Sequence, residues 1–137
     1  VFGPLGTAPV GCSIVWYGVH SFEMLQRAMG CGAVRLQTHP DTAGMVVVVE
    51  YAGNRRGIVS LSGLWTYGGC LRTQDAAAPF VVDSGRIYTE LLMQIARFFQ
   101  GGPAPVSPEE TLEVMAMLDA AEHSFRSGTI VDVNPVF

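Results

Sequence analysis

The chain contains no lysine. All eight of its basic residues are arginines, set against twelve acidic residues for a formal net charge of −4. Without lysine, Schiff-base chemistry and an ammonium general acid are excluded from this chain. The basic residues do not cluster, which argues against a nucleic-acid surface. Charge of either sign is scarce, at 15% of residues where soluble domains average about 25%. No apolar run approaches the roughly 20 residues of a membrane span; the longest, Met45 to Val49, is the length of a strand. The cysteines are three, Cys12, Cys31 and Cys70, with no C-x-x-C among them. They read as reduced, mostly buried thiols of a cytoplasmic protein. The first residues do not form the pattern of a secretory signal.

Several chemical signatures are also missing. No G-x-G-x-x-G follows a strand, since Gly30-Cys-Gly32 comes after a helix, the wrong context for a phosphate. There is no P-loop and no G-x-S-x-G. His20, His39 and His123 are far apart. His20 and Glu23 are three residues apart on an expected helix, but one pair is too few ligands, and no metal is expected. An acidic residue near a helix start is the simpler reading of Glu23. There is no internal repeat.

What is present is apolar surface. The 137 residues suit one domain with a real core. Yet 49% are hydrophobic and mean hydropathy is +0.32. That is more apolar surface than a solitary domain hides, so a large interface with a second domain or subunit is expected. The chain begins at valine rather than methionine, which fits a piece of a longer protein.

Taken in order, residues 1–11 read as an irregular lead-in with three glycines and two prolines. Ser13-Ile-Val-Trp16 reads as a buried strand, broken by Gly18. A helix of about ten residues follows, with Phe22, Leu25 and Met29 as its apolar stripe. Ala33–His39 alternates like a half-buried strand. Met45–Tyr51 and Ile58–Leu64 form an antiparallel hairpin, with Arg55 and Arg56 at its tip. Trp65–Arg72 reads as a strand with a bulge at Gly68-Gly69. Residues 73–79 read as a loop, and Phe80-Val-Val as a short strand.

Two helices close the chain. One spans about 85–100, with Ile87, Leu91, Ile95, Phe98 and Phe99 as its apolar face. The other starts at Ser107-Pro-Glu-Glu110, a capping box with proline at the first helical position. It carries Leu112, Met115, Leu118, Ala121 and Phe125 and stops at Gly128. Asp119, Glu122 and His123 read as its solvated side, and Thr129–Val133 as a last strand. This order predicts an α+β fold: an open, mostly antiparallel sheet with helices packed on one face and the other face left for oligomer contacts.

His20 stands at the junction before the first long helix, where a side chain can meet a ligand. On residue type alone it reads as a helix-start residue bonded to nearby backbone. A further pattern gives it more weight. Tyr17-Gly-Val-His20-Ser-Phe-Glu23 with Met29-Gly30, the segment Tyr88–Phe98, and Pro105–Glu113 leading to Ala120–Ser124 and Gly128–Val131 occur in a recognisable order and spacing. Together they resemble the C-terminal domain of the glucose–fructose oxidoreductase / inositol dehydrogenase (Gfo/Idh/MocA) family over nearly the whole chain.

The resemblance implies a single domain, 1–137, that supplies the substrate wall and the oligomer interface of a two-domain enzyme. The N-terminal Rossmann domain, which binds NAD or NADP, is absent from this chain. The implied substrate is sugar-like or polyol-like. His20 matches the family histidine that assists proton transfer at the substrate oxygen, with Tyr17 and Trp16 at the same mouth as substrate-binding residues. The departures are plain. Many members carry aspartate where this chain has Trp16, and the family's catalytic lysine has no counterpart here. Trp16 cannot replace that aspartate as a charged partner, so His20 is expected to be less strongly biased toward its protonated form than in members that keep it. The alternative is a non-catalytic binding or oligomerisation module derived from such enzymes.

Overall fold

A computed structural model of the chain describes residues 1–10 and 13–134. Its elements are β1 (Phe2–Pro4), α1 (Ser13–Trp16), α2 (Gly18–Met29), β2 (Ala33–Pro40), β3 (Gly44–Tyr51), β4 (Arg55–Ser62), β5 (Gly68–Arg72), β6 (Ala77–Val81), α3 (Ile87–Phe99), α4 (Pro108–Ser127) and β7 (Val131–Asp132). The seven strands form one open sheet in the order β6-β5-β1-β4-β3-β2-β7. Only β1 and β4 run parallel; every other neighbouring pair is antiparallel. The fold is α+β with an open, mostly antiparallel sheet.

Period-two alternation decides which face is buried. Met45, Val47, Val49 and Tyr51 of β3 point into the core, together with Val59 and Leu61 of β4 and Leu36 of β2. On that face α2 packs against β4 and β1, and α4 packs against β2. The buried stripe of α4 is Val114, Met117, Leu118 and Ala121, spaced as one helical face. Leu112, Met115 and Phe125, expected there from the sequence, are exposed. Polar residues fasten α4 to the sheet: Thr38 Oγ1 donates to Ala121 O and Thr38 N donates to Ser124 Oγ, both at 2.9 Å. The capping box before α4 is complete, with Glu110 N donating to Ser107 Oγ and Ser107 N to Glu110 Oε2.

Several expectations are overturned. Ser13–Trp16 is a helical turn, not a strand. A four-residue apolar run carries no periodicity that separates the two. The place in the sheet is taken instead by β1, inside the lead-in that read as irregular because glycine and proline mask its pattern. The pairing of β5 with β6 is continuous through Gly68 and Gly69. The irregularity lies in β2, between Ala33 and Arg35. Arg55 and Arg56 belong to β4 rather than to a turn. The loop read over 73–79 is shortened, because β6 begins at Ala77. Cys31 and Cys70 are free and exposed; Cys12 lies outside the described residues.

Helix α3 is the largest departure. None of its residues is buried, and Tyr88 and Phe99 are about four-fifths exposed, at 77% and 81%. Its amphipathic sequence makes a helix, but no described element covers it. Strands β5 and β6, at one edge of the sheet, are also largely exposed.

Candidate functional site

The opening of α2 sits beside β1 and the β4–β5 connection. Tyr17 separates α1 from α2, and its ring is gripped from two sides. Gly6 adopts φ +65°, and a Cβ there would run into the Tyr17 ring. Trp65 meets the same ring edge-on, with centroids 4.7 Å apart. Trp16 stands edge-on to Tyr17 at 6.3 Å. Such geometry suits the aromatic quadrupole. These side chains, with Leu5, Thr7 and Gly63, line an open cleft of about 480 Å³. Trp16 and Trp65 are the chain's only tryptophans, and both are more than half exposed.

His20 stands next to this cleft in the first turn of α2. Its side chain is 57% exposed, and Nδ1 lies 3.0 Å from Glu23 Oε2. Tyr67 packs edge-on to the imidazole at 5.9 Å. Burial raises the Tyr67 phenol above its ordinary value, and neighbouring Tyr17 and Glu23 add to this. Tyr67 therefore keeps its proton as a donor. Beneath it, a Cβ on Gly3 would meet both Ser21 Oγ and the Tyr67 ring. The Ser21 hydroxyl is buried without a hydrogen-bond partner.

The structure lines the cleft with Trp16 and Tyr17 and sets His20 beside Tyr67, outside the cleft lining. It adds Trp65 and Tyr67, which the sequence reading placed in an ordinary strand. The only available signal was the pair of large aromatics flanking Thr66 just before two glycines. The His20–Glu23 pair noted from the i, i+3 spacing is in contact, Nδ1 to Oε2 at 3.0 Å. Among the described residues, no three histidine, cysteine or acidic side chains gather as a metal site. Among the described residues, β1 with β4 is the one parallel pair of neighbouring strands.

No protein-family model matches the sequence, and no curated protein does. Solved structures do. A protein assigned as a myo-inositol dehydrogenase from Sinorhizobium meliloti 1021 superposes with a TM-score of 0.62 at 15% identity, over 85% of this chain and 48% of its own. One assigned as an oxidoreductase from Thermotoga maritima gives 0.61 at 15% identity, over 96% of this chain and 53% of its own. The chain has the fold of one half of these proteins. It resembles in that fold the C-terminal domain of the Gfo/Idh/MocA family, and it spans about half the length of the structures it matches.

Proposed function

We propose that this chain is the substrate-side domain of an NAD(P)-dependent oxidoreductase acting on a sugar-like or polyol-like molecule. The observation that carries the reading is an imidazole held beside an aromatic cleft, in a fold shared with half of a myo-inositol dehydrogenase. Indole and phenol faces suit the C–H-rich face of a sugar ring. Oxidation of a carbinol requires its hydroxyl proton to leave, and imidazole is suited to take it near neutral pH. His20 is the proposed proton acceptor, with Tyr17 and Trp16 as substrate contacts. The nicotinamide belongs to a Rossmann domain that this chain does not contain, and α3 is a surface such a domain would cover.

The uncovered sheet face, with Val46, Val48 and Ile58, is proposed as the contact with a second copy. Free, exposed Cys31 and Cys70 fit a reducing, cytoplasmic setting. A non-catalytic binding or oligomerisation module is the second reading, favoured by the absence of lysine and by Trp16 in the aspartate position. The test is His20→Ala in the whole protein. Turnover of a sugar or cyclitol with a nicotinamide cofactor should fall about 10²-fold or more, with cofactor affinity nearly unchanged. Near-normal turnover of the variant removes His20 from the chemistry. A wild-type protein that binds cyclitols without oxidising them supports the module instead.

A further inference from the structure

One side chain in this region has no part in the reading above. Glu23 lies three residues after His20, a spacing that places side chains on the same helix face. Its Oε2 sits 3.0 Å from His20 Nδ1. An ionised carboxylate only accepts hydrogen bonds, so a neutral imidazole in this contact carries its proton on Nδ1. The lone pair is then on Nε2, the nitrogen directed away from Glu23. Tyr67 packs edge-on to the same ring, with centroids 5.9 Å apart.

The other charged groups on elements packed against α2 lie toward its far end. Arg55 of β4 donates to Met29 O. Arg27 faces Glu110 at 3.9 Å, and Glu113 of α4 accepts from Gly32 N and Ala33 N. Tyr17 and Tyr67 are the titratable neighbours at the His20 end. Glu23 is thus the carboxylate that faces His20.

We propose that Glu23 is the positioning residue for His20: it fixes the Nδ1–H tautomer and keeps Nε2 as the free base that receives the substrate's hydroxyl proton. The assignment rests on the proposed role of His20. It does not require Glu23 to touch substrate or to change its own protonation.

The tautomer is read directly from the 15N shifts of selectively labelled histidine in the whole protein, with His20→Gln assigning the signal. His20 should show the Nδ1–H pattern. Glu23→Ala should move it toward the Nε2–H form that free imidazole side chains favour. Glu23→Gln, whose amide oxygen still accepts from Nδ1–H, should retain the wild-type pattern. Turnover should follow: about tenfold lower kcat in Glu23→Ala, by analogy with the hydrogen-bond partners that orient metal-ligating histidines, with KM little changed and Glu23→Gln close to wild type. A wild-type His20 in the Nε2–H form overturns the proposal. So does a Glu23→Ala protein with unchanged tautomer and kcat. Absence of oxidoreductase turnover in the wild type would overturn the enzymatic reading, while the tautomer comparison would still decide what Glu23 does.

Discussion

Glu113, buried on α4, accepts a hydrogen bond from the backbone N–H of Gly32 at 2.8 Å across eighty-one residues of sequence. Its other oxygen takes the N–H of Ala33 at 3.3 Å. One carboxylate therefore satisfies two backbone donors where the chain leaves α2 and enters β2. Glu113→Ala leaves those donors without that partner and should cost about 2 kcal/mol of stability. Urea unfolding measures it. A loss typical of a surface substitution would show that water replaces the carboxylate freely.

Gly6→Ala should injure the cleft rather than the core. The substitution puts a side chain at φ +65° and into the Tyr17 ring, so destabilisation of about 1 kcal/mol or more is expected. Displacement of Tyr17 from Trp65 should also change the fluorescence of the two tryptophans. An unchanged emission spectrum would mean that Tyr17 is not held by Gly6.

Acid sensitivity should involve Glu50. A hydrogen bond from Arg35 holds its carboxyl below the ordinary 4.5, and the charges of Arg35 and Arg56 act in the same direction. A depressed carboxyl contributes stability that is fully present above the unfolded-state value and is lost as pH falls through the folded one. Stability from this group should therefore decline below about 4.5. Glu50→Gln should flatten that part of the acid limb in denaturant midpoints taken from neutral pH downward. An identical acid limb would assign the loss to other carboxyls.

The uncovered sheet face offers a separate test. Val48 pairs with Ile58 across β3 and β4, and Ile58 is 53% exposed. A charge placed there should break self-association, so Ile58→Glu should sediment as a smaller species than wild type. A wild-type protein that sediments as a strict monomer sinks the expectation.

Much of the fold was legible because its signals are local. Strands β2, β3 and β4 announce themselves by alternation, and the capping box at Ser107 and Glu110 marks α4. The missed pieces have physical reasons. β1 is three residues long with a glycine and a proline, so its identity comes from pairing with Ser60, Leu61 and Ser62 of β4 and with Gly68 of β5. Ser13–Trp16 is too short for periodicity to choose between strand and helix. Of the stripe expected on α4, Leu118 and Ala121 are buried, while Leu112, Met115 and Phe125 are exposed. Leu112, Met115 and Phe125 are as apolar as Val114 and Met117, and only the angle at which α4 meets β2 selects between them.

The same division holds for the site. The sequence by itself determined that a histidine would open α2 beside Tyr17 and Trp16, that no lysine could act here, and that excess apolar surface would remain. Those facts depend on residue identity and near-neighbour spacing. The tertiary structure alone decided that Trp65 and Tyr67 join them. They arrive from a connection more than forty residues away, and the meeting depends on β1 lying between β4 and β5 to bring that connection against α2. It also decided what composition left open: among the described residues helix α3 is the long apolar surface without a cover, while Val46, Val48 and Ile58 share their sheet face with Arg35, Gln37, His39 and Glu50. Hydrophobicity counts how much surface must be hidden, but only packing decides which part is left.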